Sequence, residues 1–438
     1  MSDTHAQTVA YVRDTMLPEQ PAPATEAGAI KWLRENLFSG PLNTFLTIAG
    51  VLVVYAMVSH YFAWFAHSVW NANSLAECRT IITERWGEGA TGACWSVIRE
   101  RWHQYLFGFY PPELYWRPIL VFVLLFVALA PVLFQGFARQ LLLFSVFYPF
   151  LAIWLLWGGS IWPEVMIILG AVAGYVAFRV IEPRGDTLAI ICGILVTILF
   201  WAWLSGPLSG MIQSVLPFRI TPVSSEKFGG FLLAVTLGVG GIVMSLPLGI
   251  MLALGRQSDM FLIKTLSVCF IEFIRGVPLI TLLFVASLLL NYFLPPGTNF
   301  DIILRVMILV TLFAAAYIAE VIRGGLAALP RGQYEAADAL GLDYWKAQRL
   351  IILPQALKIS IPGIVSTFIG MFKDTTLVVF VGLFDPLKGI SDFVRADFAW
   401  KGIYWEPYIF VGAIFFLFNF SMSRYSMYLE NKLKRDHR

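Results

Sequence analysis

Charged residues interrupt three otherwise apolar stretches of the 438-residue chain, and chemistry should be sought there first. Glu272 and Arg275 stand three apart in Phe270-Ile271-Glu272-Phe273-Ile274-Arg275-Gly276-Val277-Pro278, and Glu320 and Arg323 repeat the spacing in Ala319-Glu320-Val321-Ile322-Arg323-Gly324-Gly325. On a helix that spacing puts both charges on one face, so each pair can neutralise itself. The pairs either brace helices near the inner membrane boundary or face a polar path. Lys373 and Asp374 are adjacent, followed by Thr375 and Thr376, and so point about 100° apart on a helix. They can hold the two ends of a dipolar solute, or pair with other protein charges. Thr281 lies just past Pro278, whose ring removes the hydrogen bond to the Ile274 carbonyl and leaves a polar backbone group facing a pathway.

Catalytic arrangements are not found. The sequence has no Gly-Lys dipeptide, hence no phosphate-binding loop, and no His-Glu-x-x-His, Cys-x-x-Cys or Gly-x-Ser-x-Gly. Its five histidines are scattered, so neither a catalytic residue nor a metal ligand is assigned, and energy must come from an ion gradient or another subunit.

The elements that must position these charges are membrane helices. A composition of 58% hydrophobic and 13% charged residues, with mean hydropathy +0.73, excludes a soluble enzyme and a disordered scaffold. A net charge of +3 gives no reason to expect nucleic acid as a partner. The fold class is an all-α polytopic membrane protein with about ten spans, at 42–65, 118–137, 141–157, 164–181, 187–205, 228–254, 265–294, 302–324, 361–384 and 406–428. The pair at 118–157 is separated by only three residues and interrupted by Pro131 and Pro149, so a re-entrant arrangement stays open. Residues 1–41 read as a polar tail without a signal peptide followed by an interfacial helix, with Ile30, Leu33 and Leu37 on one face. Residues 42–205 form a first group of spans with an extramembrane loop at 66–117, 206–227 a connection, 228–430 a second group, and 431–438 a tail. Lys and Arg gather in the loops and tail on one side (Arg331, Lys346, Arg349, Lys358, Lys432, Lys434, Arg435) more than on the other (Arg219, Lys388, Arg395, Lys401), which predicts cytoplasmic N- and C-termini. The five arginines of 66–117 resist that pattern. Cys78 and Cys94 both lie in this loop with Gly87, Gly89 and Gly92 between them, which fits either a disulfide in an oxidising compartment or two free thiols.

The longest polar stretch of the second half is Pro330 to Pro354. Pro330 can open a short helix, Gly341 is the residue type that ends one in a left-handed turn, and Asp343 can cap a second that runs to Pro354. This is either a structured loop or a helix-turn-helix shaped to enter a groove in a partner. Its residues Glu335, Ala336, Ala337, Gly341, Ile351, Leu353 and Pro354 reproduce the spacing of a known signature. In it the chain resembles the permease subunits of binding-protein-dependent ABC importers, over roughly 228–430. The segments around Glu272, Glu320 and Lys373-Asp374-Thr375-Thr376-Leu377 resemble the polar amino-acid branch. Trp32 to Phe38, Gly92-Ala93-Cys94-Trp95 and Gly108-Phe109-Tyr110-Pro111 resemble the M-type permease of Gram-negative general L-amino-acid importers.

The resemblance implies an inner-membrane subunit with a five-helix core that moves amino acids by alternating access. It implies coupling helices at 330–354, a second related permease, two copies of an ABC ATPase that bind ATP and Mg, a periplasmic amino-acid-binding protein, and surrounding lipid. A transient midplane site would then draw on Thr281, Lys373, Asp374, Thr375 and Thr376, with Asp374 facing the substrate ammonium and Lys373 its carboxylate. The rival reading is an ion-driven secondary transporter; such folds often contain inverted repeats, and no convincing repeat relates the two halves.

Overall fold

A computed structural model describes residues 28–134, 136–285, 287 and 300–435. The chain divides into two compact units, the first formed by the residues up to Val69 together with Arg79–Ala93, the second by Trp70–Cys78 and Cys94–Arg438.

In the first unit a short helix, α1 (Gly28–Asn36), precedes α2 (Pro41–Ala66), which starts at a proline whose missing N–H costs nothing at that position. Helix α2 has no buried residue and mean hydrophobic character throughout, as suits a helix solvated by acyl chains. Beyond it the chain folds back, with the Ala93 N–H donating to the Trp64 carbonyl at 2.8 Å and His67 stacked on Trp86. A helix α3 (Leu75–Trp86) is divided between the two units.

The second unit contains α4 (Ser96–Phe107), α5 (Trp116–Leu133), α6 (Leu141–Trp157), α7 (Trp162–Ile181), α8 (Asp186–Leu199), α9 (Ser205–Val215), α10 (Gly230–Gln257), α11 (Phe261–Gly276), α12 (Leu279–Phe284), α13 (Ile302–Ala327), α14 (Arg331–Ala339), α15 (Tyr344–Ala347), α16 (Leu353–Asp374), α17 (Pro386–Ala396) and α18 (Trp405–Arg435). Among the described residues eight helices are long and apolar enough to cross a membrane, and α6 is a shorter apolar helix of 17 residues. The expected span at 265–294 is broken: α11 ends at Gly276, Pro278 caps α12, and the remainder lies largely outside the described residues. The expected connection at 206–227 begins later, because a π-turn over Phe200–Leu204 carries α8 into α9 before the chain leaves the helix at Leu216.

Helices α10 and α13 form the centre. With no hydrophobic effect between helices in lipid, close packing must hold them, and small residues permit it. A side chain at Gly249 would meet Ile318 Cβ at 2.9 Å, and one at Gly325 the Ala356 carbonyl of α16 at 2.6 Å. Leu125, Tyr148 and Leu156 from α5 and α6 share one apolar cluster with Leu237, Leu283, Ile303 and Met371, so these two spans are built into the core. At the end opposite the 330–354 loop a hydrogen-bonded chain fastens them: Trp157 Nε1–H donates to Ser225 Oγ at 2.7 Å, and Ser225 donates to Asp301, the residue that caps α13. Gly108, at φ +65°, lets that turn lie directly on Gly229, where a Cβ would sit 2.4 Å from the Gly229 Cα.

Candidate functional site

The 330–354 loop forms a helix, a turn and a helix. The first helix, α14, ends in a paired turn: the Gly341 N–H donates to the Asp338 carbonyl and the Leu342 N–H to that of Ala337, with Gly341 at φ +68°. Asp343 then caps α15, accepting from the Lys346 N–H at 2.9 Å and pairing with its ammonium at 2.8 Å, contacts that hold the Asp343 carboxyl below the usual range. The rest of the segment, Gln348–Ile352, is a π-turn that feeds into α16, and Gln355 reaches back to Gln333 at 2.9 Å.

The signature residues divide by role. Ala337 is buried, and Ile351 and Leu353 pack with Tyr334 on a cluster formed by Ile271, Ile318, Ile322, Ile352 and Ala356. Glu335, Ala336, Gly341 and Pro354 are exposed. Around them lie apolar side chains the signature does not include, among them Leu340 at 72% and Trp345 at 71% exposure, with Tyr344 and Leu350. The loop thus presents apolar groups outward while resting on α11, α13 and α16.

Midway along α13 a cavity of about 240 Å³ opens between that helix and α16, lined by Phe313, Ala314, Tyr317, Thr367, Gly370, Met371 and Asp374. Of the five candidates for a substrate path only Asp374 lines it. Lys373 is exposed and not among the lining residues, and Thr281 is exposed on α12. Past Asp374 the helix tightens to a 3₁₀ turn, and the hydroxyls are occupied locally: Thr375 donates to the Phe372 carbonyl at 2.7 Å and Thr376 to that of Lys373 at 2.9 Å. Thr367 and Gly370 precede Asp374 by seven and four residues, a helical-face spacing that could have identified them. Phe313 and Tyr317 come from a different span and leave no such sign.

The charged pairs form one network. Glu320 meets Arg323 at 2.5 Å, Arg256 at 3.1 Å and Arg275 at 3.5 Å, and Glu272 meets Arg256 at 2.7 Å and Arg275 at 4.0 Å. Glu272 and Arg275 are therefore each nearer to a residue of another helix than to one another. Arg256, in the last turn of α10, reads in the sequence as a loop charge. Elsewhere, a disulfide joins Cys78 and Cys94. Among the described residues no group of three or more His, Cys, Asp or Glu side chains could hold a metal.

An all-α bundle of membrane spans with a cavity between its central helices has the architecture of a membrane permease. Residues 245–435 match the family of binding-protein-dependent transport system inner membrane components. The chain is 66% identical over its whole length, and the whole of the relative's, to the glutamate/glutamine/aspartate/asparagine transport system permease protein BztC of Rhodobacter capsulatus. It is 37% identical to the inner membrane amino-acid ABC transporter permease protein YhdY of Escherichia coli, covering 95% of this chain and 96% of that one. It is 30% identical to the glutamate/aspartate import permease protein GltK of the same species, 96% of which matches 49% of this chain. The chain belongs to the amino-acid ABC importer permeases. It is a transport component of the inner membrane and not an enzyme, and its family works with an ATPase and a substrate-binding protein. These relatives give the ion-driven rival no support.

Proposed function

We propose that this permease imports the acidic amino acids and their amides, L-glutamate, L-glutamine, L-aspartate and L-asparagine. The carrying observation is the 66% identity, over full length, to a permease named for those four substrates. In this reading residues 228–430 form the translocating core, with 42–205 as a membrane extension, and 330–354 docks on the ATPase through the exposed face containing Leu340 and Trp345. A second related permease completes the pathway, two copies of the ATPase bind ATP and Mg, and a periplasmic binding protein of a Gram-negative cell delivers substrate. Both termini are cytoplasmic, and the Cys78–Cys94 bond then faces the oxidising side.

The cavity beside Asp374 is the transit site, with the carboxylate facing the substrate ammonium. Its apolar walls favour such a charge-assisted contact by excluding water. ATP closes the ATPase dimer, the docked loop moves with it, and the cluster under Ile351 and Leu353 passes the movement to α13 and α16, the two walls of the cavity.

Competition for uptake tests the substrate assignment. In cells that rely on this importer, each of the four amino acids should inhibit uptake of labelled L-glutamate. Inhibition by L-arginine or L-leucine instead would overturn it.

A further inference from the structure

We infer that Arg275, and not Lys373, receives the carboxylate of the transported amino acid while Asp374 holds its ammonium. The inference deepens the proposed function and rests on the cavity being the transit site. Neither Lys373, which is exposed, nor Arg275 is among the residues that line the cavity. Tyr317 is among them, and it carries the Arg275 guanidinium over its ring, 5.7 Å from the centroid, so this cation is one side chain removed from the cavity and a carboxylate reaches it when that ring turns aside.

Three features make Arg275 the member of the charge network able to accept an anion. Arg256, Arg275 and Arg323 face Glu272 and Glu320, three cations against two anions, so one positive charge is in excess. Arg275 is the most loosely held of the three: its contacts are 3.5 and 4.0 Å, against 2.7 and 3.1 Å for Arg256 and 2.5 Å for Arg323. Its Nε–H is also buried without a hydrogen-bond acceptor. A buried donor left unmade is costly, and a carboxylate would supply the missing acceptor with a charge-assisted bond. An amino acid held by Asp374 and Arg275 thereby connects α16 to α11 beside Tyr317 of α13. Its departure returns Arg275 to Glu272 and Glu320.

The purified permease–ATPase complex without binding protein, titrated with radiolabelled L-glutamate, tests this. Arg275→Gln should weaken binding at least tenfold, Arg275→Lys less, and Lys373→Gln less than twofold, with complex yield unchanged. Arg275→Gln takes the network's net charge from +1 to zero, whereas the paired Arg275→Gln/Glu272→Gln variant keeps it at +1 with Arg256 and Arg323 facing Glu320; it should assemble and still bind at least tenfold more weakly. Wild-type affinity in that pair, or a larger loss for Lys373→Gln than for Arg275→Gln, would overturn the assignment. Asp374→Asn separates the two levels. If it binds normally the transit site itself is wrong, whereas its loss beside intact binding in the Arg275 variants rejects only the role of Arg275.

Discussion

A single buried carboxylate shows how placement changes what a residue does. Asp385 lies outside the spans, almost without exposure, and caps α17 by accepting from the Leu387 and Lys388 N–H groups, each at 3.0 Å. Burial pushes its carboxyl up to about 6, although the two cap bonds and the Lys388 charge pull the other way. The folded state therefore holds the proton more tightly than the unfolded chain, where an aspartate titrates near 3.9. Below about pH 4 both states are protonated and the favourable difference is complete; it is lost as pH rises through 6. Acidification from pH 7 to 5 should accordingly raise the wild-type melting temperature relative to Asp385→Asn, which keeps a good cap but has nothing to titrate. Parallel melting curves across pH 5–8 would contradict the raised carboxyl. Asp385→Ala should be about 1 kcal/mol less stable than Asp385→Asn at every pH, because neither titrates and only the cap differs.

At the level of elements the turn of the 330–354 loop, proposed to dock on the ATPase, depends on one backbone conformation. A Cβ at Gly341 would meet nothing within 4 Å, so the cost of a replacement comes from φ +68° alone, roughly 1–2 kcal/mol for a β-branched residue. Gly341→Val should reduce co-purification of the ATPase while leaving membrane insertion intact, and Gly341→Asn should do so less, because Asn tolerates that region. Trp345→Ala should weaken attachment without altering the turn. Full ATPase recovery in both Gly341→Val and Trp345→Ala would remove the docking role. This element was legible in the sequence because its signals are local: Pro330 starts a helix, Gly341 ends it, and Asp343 begins the next. The spans were legible for a similar reason, since length and hydropathy are properties of a segment. What was not legible depends on which segments meet. Arg256 pairs with Glu272 and Glu320 across three helices, and Phe313 and Tyr317 complete a cavity with Asp374 from another span. Lys373 likewise falls outside that cavity although Asp374 lines it, because neighbours on a helix diverge by about 100° and only one of them faces a given wall.

In the second unit as a whole, the segment that begins at Trp70 is fastened to the end of the bundle opposite the 330–354 loop. The Cys94 N–H donates to the buried Glu406 at 2.8 Å, where α18 starts, the Leu75 N–H donates to the Ala399 carbonyl at 2.8 Å, and Arg101 pairs with Asp397 between α17 and α18. The disulfide lies within this region, with Cys78 and Cys94 themselves buried and 16 residues apart. Closing a loop of that length stabilises the fold by on the order of 3 kcal/mol, by removing entropy from the unfolded chain. Because the restraint acts on the segment packed against α17 and α18, and not on the 330–354 loop, its removal should divide the two ends of the molecule. The Cys78→Ser/Cys94→Ser variant should melt at a lower temperature and expose the 70–110 segment to added protease, while ATPase co-purification stays normal. Mass spectrometry of unreduced wild-type protein should recover the Cys78 and Cys94 peptides as one linked species. Rapid alkylation of both thiols in folded, unreduced protein would refute the bridge. Loss of ATPase attachment in the double variant would refute the separation, because it would mean that α18 transmits the state of the capped end along its full length to the side where the ATPase binds.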